Sequence, residues 1–378
     1  MSELTIRPVS TKRDRKAFVD FAWEVYKDDP AWIPPLKDEV HGLLDPKKNP
    51  WFGHGRAALF LATRGDKVVG RISAQVDDLV QVHMEAGLGQ WGMFEALDGE
   101  VAAALIARAE QWLRDEGMVK ALGPISISIW DEPGLLIEGF DQPPMVMMGH
   151  HRPAYREWIE AAGYEKAKDL LTYELDIRNE LQPLVRKLIA NGNSNPRIRL
   201  RDVDKSDFDR EAAIVLNLLN DAWSDNWGFV PLTDAEIAYA GKKLKPIIYQ
   251  DLVRIAELDG EPVAFMITLP DINELIADLN GKLFPFGWAK LLWRLRNPRT
   301  KRVRVPLMGV VKRLQSSRVA GQLAFMLIDS IRRVCVDRYG VSNGEFGWIL
   351  EDNQGMTSIA KLSNATINHT YRIYQRSL

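Results

Sequence analysis

The sequence predicts an α/β (α+β) protein made of two copies of one unit, each a mixed, mostly antiparallel twisted sheet flanked by helices. The chain has 378 residues, which is more than one hydrophobic core usually holds. Similar strands, hairpins and long helices recur in the same order in its two halves. Between the halves lies ANGNSNP, a cluster of residues typical of linkers. Together these observations indicate a tandem repeat.

The first elements of each copy are a short strand and a hairpin. IRPV and LRDV are each followed by a polar turn and a helical segment. FLATRGDKVVGRISAQV and RIAELDGEPVAFMITL each place alternating or apolar strands around a Gly/Asp turn, which predicts a hairpin.

A long helix and a final strand complete each copy. EVAAALIARAEQWLRDEG and AGQLAFMLIDSIRRVCVDRYG have apolar residues at helical spacing and end on glycine. A strand, a helix and a last strand follow each of them, and LLTYEL and NHTYRIY share a Thr-Tyr pair. We therefore predict domains at residues 1–178 and 197–378, joined by a linker region at 179–196 into which a helix, ELQPLVRKLIA, leads.

Composition excludes several classes of function. The formal net charge of −2 gives no overall field for nucleic acid. Cys335 is the single cysteine, so no intrachain disulfide can form. The adjacent His150 and His151 have poor spacing for joint metal ligation, and no HExxH or CxxC occurs, so no metal site is predicted. There is neither an apolar signal core nor a run of about 20 apolar residues, so a cytoplasmic location is expected.

QSSRVAG, residues 315–321, lies between a predicted strand and a predicted helix. A turn of small residues that opens a helix presents free N–H groups and the positive end of the helix dipole to an anion. Arg318 stands where a phosphate-binding loop usually has glycine. Its guanidinium can pair with phosphate directly, but it adopts a positive φ less readily than glycine does.

The order of elements in each half resembles that of the GNAT (Gcn5-related N-acetyltransferase) fold, and the resemblance covers nearly the whole chain, twice. It implies two tandem GNAT-like domains, with acetyl-CoA or acyl-CoA lying beside a splayed strand. The family pattern R/Q-x-x-G-x-G/A is matched from Gln315 to Ala320, with Arg318 in the glycine slot. The residues thereby assigned to cofactor binding are Met308, Gly309, Val310, Val311, Gln315, Ser316, Ser317, Arg318, Val319, Ala320 and Asn353.

The same resemblance shows two further departures. Many relatives carry a tyrosine general acid where this chain has Ala360. Tyr371 is a candidate replacement acid, with sheet packing as the alternative. In the first half, GMFEALDGEVAAAL lacks the motif, and its carboxylates would repel a pyrophosphate, so we predict that this copy does not bind CoA.

Glu351 and Asp352 follow the predicted strand in WILEDN and are candidate general bases. An attacking amine must lose a proton, and a carboxylate can accept it directly or through water. The alternative is that these residues cap the following helix.

Residues 279–328 contain no Asp or Glu but eleven Lys or Arg. This stretch includes LFPFGWAKLLWRLR, which has basic and aromatic residues. For the basic charge, the alternatives are a solvated face and attraction for CoA phosphates, an acyl carrier protein or an anionic membrane. For residues 284–296, they are packing against the first half, an amphipathic lid and peripheral membrane contact. Residues 130–153 are apolar and rich in Pro and Gly, which predicts either interdomain packing or the lining of a hydrophobic pocket.

The sequence thus predicts an acyl-CoA-dependent N-acyltransferase that acts on the amine of a small-molecule substrate. Two alternatives remain open: a long-chain acyltransferase that uses an acyl carrier protein, and a catalytically inactive binding protein of the same fold.

Overall fold

A computed structural model describes residues 3–378, which divide into two compact units. The N-terminal unit contains the chain as far as Leu170, together with Leu279–Lys282 and His369–Leu378. The C-terminal unit contains Leu171–Asp278 and Leu283–Asn368. This division differs from the predicted boundaries at 178 and 197, because the end of the chain adds its last strand to the first sheet.

The N-terminal unit has the predicted hairpin and the predicted long helix, with three short strands added before its last helix. Its elements are β1 (Leu4–Pro8), α1 (Lys12–Val25), α2 (Lys37–Leu43), β2 (Gly55–Arg64), β3 (Lys67–Asp77), α3 (Asp78–His83), β4 (Leu88–Ala96), α4 (Gly99–Asp115), β5 (Lys120–Gly123), β6 (Ile125–Ser126), β7 (Glu132–Pro133), β8 (Leu135–Glu138), α5 (Ala154–Ala161) and the start of β9 (Glu165–Asp176). The added short strands are β6, β7 and β8.

The C-terminal unit follows the same plan. Its elements are α6 (Pro183–Asn193), β10 (Ile198–Asp202), α7 (Phe208–Trp223), α8 (Asp234–Leu244), β11 (Val253–Leu258), β12 (Glu261–Pro270), α9 (Ile272–Ile276), α10 (Gly287–Arg296), β13 (Arg302–Val310), α11 (Arg318–Asp337), β14 (Asn343–Leu350), α12 (Gln354–Leu362) and the start of β15 (Thr366–Ser377).

The sheet of the N-terminal unit has the strand order β1-β2-β3-β4-β5-β15. Its neighbours are antiparallel except β4 and β5, which run parallel. Helix α4 covers one face with an apolar stripe, in which Val101, Leu105 and Ala109 recur every four residues and are buried. The predicted hairpin of this half is confirmed as β2 and β3.

The sheet of the C-terminal unit has the strand order β10-β11-β12-β13-β14, with the last part of β9 beside β14. The pairs from β10 to β13 are antiparallel, whereas β13 and β14 are parallel. In α11, Leu323, Leu327, Ile331 and Cys335 recur every four residues and are buried. This arrangement confirms the predicted mixed, mostly antiparallel sheet flanked by helices.

Residues 3–378 contain neither a candidate membrane-spanning helix nor a candidate metal cluster. No helix there combines the length and the apolar composition that a bilayer crossing requires. No group of three or more His, Cys, Asp or Glu side chains is placed to hold a metal ion in that range.

Candidate active site

The parallel strands β13 and β14 pair over only part of their length. Their register runs from Arg302 opposite Asn343 to Val305 opposite Phe346. Both strands continue beyond this point, β13 to Val310 and β14 to Leu350. The pairing therefore ends inside the sheet, and a gap opens between the two strands.

A cleft occupies this gap. It is open to solvent, and its walls are mainly apolar. The lining residues are Trp223, Asn226, Val305, Pro306, Met308, Phe346, Gly347, Trp348, Ile349, Leu350, Asn353 and Met356. Such a cleft suits a flexible, mostly apolar ligand better than a densely charged one.

The end of α7 orients one edge of the cleft. The indole Nε1 of Trp223 donates to the carbonyl of Met308 at 3.0 Å, and the Trp223 and Trp348 rings lie 6.1 Å apart. A residue in an extended strand directs its N–H and C=O to the same edge. The amide N–H of Met308 therefore points to the side on which Trp223 lies, away from β12.

The loop between β13 and α11 is fastened to the same end of α7. The Lys312 amide donates to the Asp221 carboxylate at 2.7 Å. Gln315 Nε2 donates to the carbonyls of Ala222 at 2.9 Å and Val310 at 3.0 Å. Since Trp223 lines the cleft and its neighbour Ala222 accepts from Gln315, the start of α11 lies next to the cleft.

The first turn of α11 presents positive charge. Ser317 is the N-cap, and its Oγ accepts from the Ala320 amide at 3.3 Å and donates to the Leu314 carbonyl at 2.6 Å. The amides of Arg318 and Val319 occupy positions that have no intrahelical acceptor. Arg318 is exposed and has no carboxylate partner in the described part of the chain. This turn can therefore receive an anion through backbone and side chain together.

A buried polar network fixes the point at which β13 and β14 part. Arg304 Nη2 donates to the Gly347 carbonyl at 2.8 Å, and Arg304 Nε lies 3.7 Å from Glu345 Oε1. Asn368 donates to Glu345 at 2.8 Å and accepts from Thr172 at 2.6 Å. Burial raises the pKa of Glu345, and the charge of Arg304 and the hydrogen bond from Asn368 oppose this rise.

The turn after β14 carries the two predicted bases. Glu351 and Asp352 are exposed and stand between Leu350 and Asn353, both of which line the cleft. The cap of α12 is Asn353, whose Oδ1 accepts from the Met356 amide at 3.0 Å. The alternative in which Asp352 is the cap is therefore wrong.

Comparisons with known proteins agree with this geometry. No protein-family model matches the chain. It is 43% identical over 379 residues to a Caulobacter vibrioides protein named bacterial ceramide synthase, covering 100% of this chain and 98% of the relative. It is 42% identical to protein YghO of Escherichia coli, covering 99% of this chain and 95% of that relative. The chain belongs to the family of these two proteins.

The fold is confirmed by solved structures. A tandem GNAT protein from the clavulanic acid biosynthesis pathway superimposes with a TM-score of 0.57 over 99% of this chain and 98% of its own, at 13% sequence identity. A GCN5-related N-acetyltransferase from Sphaerobacter thermophilus gives a TM-score of 0.54 over 99% and 95% of the two chains, at 12% identity. Both units of this protein are therefore GNAT folds.

In the C-terminal GNAT unit, the predicted cofactor residues fall into separate groups. Met308 and Asn353 line the cleft. Exposed Ser316 and the first turn of α11, residues 317–320, lie beside it. The side-chain nitrogen of Gln315 is committed to backbone carbonyls, so Gln315 holds the loop in place instead of offering that nitrogen to a ligand.

The other predicted residues at the end of β13, Gly309, Val310 and Val311, contact neighbouring elements of the C-terminal unit. A Cβ on Gly309 would lie 2.8 Å from Ala222 Cβ and 2.9 Å from Phe265, so only glycine fits between α7 and β12. Val310 lies opposite Ala264, and the Val311 amide donates to the Val263 carbonyl at 2.8 Å. None of these three is among the residues that line the cleft.

Tyr371 is placed differently from the prediction. It lies in the part of β15 that belongs to the N-terminal GNAT unit, and it is fully buried. Its hydroxyl donates to the Gly149 carbonyl at 3.0 Å. A buried, hydrogen-bonded phenol of this kind is a packing residue, which was the alternative left open, and it is not a proton donor to a thiolate.

The N-terminal GNAT unit has the corresponding strand gap, but it is filled. Strands β4 and β5 pair only from Leu88 to Gln90. Beyond this, buried Ile125 and Ser126 lie against β4: the Met93 amide donates to Ser126 Oγ at 3.1 Å, and a Cβ on Gly92 would collide with the Ile125 carbonyl.

The first turn of α4 also differs from that of α11. Asp98 is the N-cap and accepts from the Val101 amide at 3.0 Å. Arg64 donates to Asp98 at 2.6 Å and to Glu100 at 2.5 Å. The anions at this helix start are thus the chain's own carboxylates, and the absence of CoA binding in this copy stays a prediction.

Sequence reasoning did not single out several residues that shape the cleft. Trp223 and Asn226 belong to DAWSDNWG, where polar and aromatic residues alternate after a helix ends. That unusual composition was the available signal. Arg304 and Glu345 gave none, because they are 41 positions apart in the chain and pair only when β13 and β14 become neighbours.

Proposed function

We propose that this protein transfers an acyl chain from acyl-CoA to the amino group of a long-chain amino alcohol, so that the product is a ceramide-type amide. The observation that carries the proposal is the open gap between β13 and β14 beside the first turn of α11. The acceptor class rests on the name of the Caulobacter vibrioides relative, with which the chain is 43% identical.

The residues present fit acyl-CoA. Its diphosphate is a compact anion, and the amides of Arg318 and Val319 with the Arg318 guanidinium match it in charge. Its pantetheine arm and acyl chain are long and flexible, and the cleft offers apolar walls, including Met308, Trp348 and Met356.

When bound, acyl-CoA supplies an activated thioester carbonyl. In this proposal the amide N–H of Met308 donates to the oxygen of that carbonyl, where negative charge develops during attack by the amine. In other acyl-transfer enzymes, the loss of one such donor slows the reaction by about 10² to 10³.

Proton transfer is assigned to the turn after β14. Glu351 or Asp352 would take the proton from the attacking amine. Ala360 is fully buried and brings no acid to the site. A thiol has an ordinary pKa of about 8.5, so the departing thiolate is stable enough to leave without a dedicated proton donor.

The basic stretch favours acyl-CoA over an acyl carrier protein as donor. Six of its eleven basic side chains are paired with carboxylates within the C-terminal unit, which lowers the charge left for an acidic protein surface. The pairs are Lys290 and Arg294 with Asp278, Arg302 with Asp271, Arg304 with Glu345, Lys312 with Asp225, and Arg313 with Glu261.

The test is an amide-forming assay on the purified protein, read by mass spectrometry. Donors are acyl chains of several lengths on CoA and on acyl carrier protein. Acceptors are sphinganine, ethanolamine, and a fatty alcohol that lacks the amine. We expect amide only from the long-chain amino alcohol, with CoA preferred by about tenfold or more, since its diphosphate adds charge-assisted contacts.

Three outcomes would contradict the proposal. Faster transfer from the acyl carrier protein than from CoA would show that the carrier protein is the acyl donor. Transfer to ethanolamine but not to sphinganine would show that the acceptor is not a long-chain amino alcohol. The absence of CoA binding by calorimetry at millimolar ligand identifies a binding protein that has lost the chemistry.

A double variant tests whether Glu351 or Asp352 is the general base. Glu351→Gln with Asp352→Asn should lower kcat while the Kd for CoA stays the same, because both side chains lie outside the first turn of α11. An unchanged kcat would remove both residues from the mechanism.

A further inference from the structure

Helix α10 and the turn before it expose an apolar surface, which we call the α10 surface. It consists of Phe284, Phe286, Trp288, Leu292 and Trp293, whose exposed fractions are 77%, 78%, 47%, 55% and 72%. These are five of the ten large apolar residues that are exposed among residues 3–378, and they lie within ten positions. Such clustering marks an interaction surface, whereas single exposed apolar residues are ordinary.

The helix holds this surface outward through its opposite side. Arg294 donates to the two carboxylate oxygens of Asp278 at 2.6 and 3.0 Å, and Lys290 pairs with the same carboxylate. Leu291 and Leu295 are half-buried on the inner side. A surface helix normally turns its apolar stripe inward and its charges outward. Here two of the charges are paired with Asp278, and the largest aromatic side chains are exposed to solvent.

In the described part of the chain, the charged side chains next to this surface in the sequence that lack a carboxylate partner are all positive. Arg296 ends α10, and Arg299 and Lys301 follow it; none of the three side chains has a carboxylate partner within residues 3–378. No Asp or Glu occurs from residue 279 to 328. The partner that complements this surface is therefore apolar and negatively charged.

We propose that the α10 surface seats the protein on a bilayer that contains anionic lipid. Phe and Trp are the side chains that favour the boundary between headgroups and acyl chains, and Arg and Lys attract anionic headgroups. An acidic protein would match the charge equally well. The exposed residues form a convex helix face and not a groove, which favours insertion into a fluid interface.

The consequence for activity rests on the proposed function. A long-chain amino alcohol and a ceramide-type product both partition into bilayers. Seating on the bilayer would bring the acceptor to the enzyme by diffusion in two dimensions. Binding to vesicles does not depend on acyl transfer, so the two proposals can fail separately.

The experiment is flotation of the full chain with vesicles of phosphatidylethanolamine and phosphatidylglycerol, compared with vesicles of phosphatidylcholine alone. We expect the protein to float with the anionic vesicles and to be released by high salt. Phe286→Ser with Trp293→Ser should lower the partition coefficient by about tenfold or more, since each loses an inserted apolar side chain. The control, Val82→Ser with Leu184→Ser, removes exposed apolar residues elsewhere and should change partition by less than about twofold.

A second pair of variants tests the charge. Arg296→Gln with Arg299→Gln should weaken binding to anionic vesicles while leaving the melting temperature unchanged, because both residues are exposed and unpaired. Failure of the unmodified protein to float with anionic vesicles overturns the proposal. Equal flotation of the Phe286/Trp293 variant does so as well, and capture of purified acyl carrier protein by this surface alone would assign it to that partner instead.

If vesicles bind but no acyl transfer occurs with any acceptor, the proposed function fails and this inference stands. If transfer to sphinganine in vesicles occurs equally in the Phe286/Trp293 variant and the unmodified protein, the surface has no part in acceptor delivery.

Discussion

The two GNAT units use the same strand gap in opposite ways. In both, a parallel strand pair stops pairing after three or four residues. The C-terminal gap continues into an apolar cleft, whereas the N-terminal gap is occupied by the chain that follows β5. The fold therefore creates a gap between two parallel strands in each unit. The residues that follow β5 or β14 determine whether that gap is open to a ligand.

Packing energy explains why the filled form is the stable one. Ile125 and Ile127 are completely buried, and burying such a side chain stabilises a fold by about 1.5–3 kcal/mol. In the C-terminal unit, β14 is followed by the exposed turn of Glu351 and Asp352, and among residues 3–378 no segment fills the gap in the way that Ile125 and Ser126 fill the other. That unit forgoes this stabilisation, which is typical of a site kept for a ligand.

Each unit has a buried Arg–Glu pair, but the two pairs join different strands: Arg71 and Glu95 join β3 to β4, whereas Arg304 and Glu345 join the parallel strands β13 and β14. In the N-terminal unit, Arg71 lies 3.5 Å from Glu95, which also accepts from Tyr26 at 2.8 Å and Tyr155 at 2.7 Å. Burial raises the pKa of Glu95, as it does for Glu345. The C-terminal pair therefore lies across the parallel strands that part, whereas the N-terminal pair lies one strand away from the corresponding place.

Closing the C-terminal gap artificially should have the largest effect. Met356→Trp places a larger ring at the start of α12, where Met356 lines the cleft and is half-buried. We expect kcat/KM with acyl-CoA to fall about 100-fold, because the apolar walls lose the space for the pantetheine arm. Steady-state kinetics checks this.

The matched control is Ser358→Trp, which adds the same ring to an exposed position of the same helix. It should retain activity. Equal losses in the two variants would show that α12, and not the cleft, is responsible.

Charge at the start of α11 should have the next largest effect. Arg318→Glu replaces the unpaired guanidinium by a carboxylate and should raise the Kd for CoA about 30-fold, through loss of one charge-assisted contact and added repulsion. Calorimetry with CoA measures it. An unchanged Kd would mean that the diphosphate binds elsewhere.

The N-terminal unit supplies the complementary experiment. Glu100→Arg gives the first turn of α4 a guanidinium at an exposed position. The filled gap should still prevent CoA binding there, so the stoichiometry should stay at one per chain. Binding of a second equivalent of CoA would show that charge at the helix start, and not the filled gap, prevents the N-terminal unit from binding CoA.

Much of the fold was predictable because its signals are local. The long helix α11 follows from Leu323, Leu327, Ile331 and Cys335 at helical spacing, and each hairpin follows from a Gly/Asp turn between apolar strands. The start of α11 was also found, since its N-cap serine precedes an apolar helix. These features need only a few neighbouring residues.

The parts that were missed depend on contacts between distant residues. Tyr371 was a plausible acid in sequence, but its strand joins the other unit, and no local pattern specifies which sheet a terminal strand completes. Gln315 matched a motif position, yet its amide is used by Ala222, which lies 93 positions earlier. The role of Trp223 likewise follows only from its contact with Met308.

The segment that fills the N-terminal gap continues through residues 130–153, and His151 holds part of it. The His151 ring is buried, and its Nδ1 accepts from the Leu136 amide at 3.1 Å. Burial lowers the pKa of His151 to about 3, assisted by the nearby His150 and Arg71. An acceptor nitrogen must be unprotonated, so this hydrogen bond requires the neutral ring.

The smallest expected effect is a pH dependence confined to this segment. The pKa of histidine in an unfolded chain is about 6.5, so between that value and 3 the unfolded chain takes up a proton that the folded unit refuses. The stabilisation is complete above pH 6.5 and is lost as the pH falls. From pH 7 to pH 5.5 the loss should be about 1 kcal/mol. The measured quantity is the difference between the melting-temperature changes of the unmodified protein and His151→Gln, and His83→Gln, at an exposed position, should behave like the unmodified protein. This comparison is needed because Glu132 lies 3.7 Å from His151 Nε2, and burial raises its pKa to about 7, so its protonation raises stability over the same range in all three proteins. If the unmodified protein and His151→Gln lose stability in parallel over this range, the closed gap is held by packing alone, and the neutral imidazole has no special part in keeping the two units different.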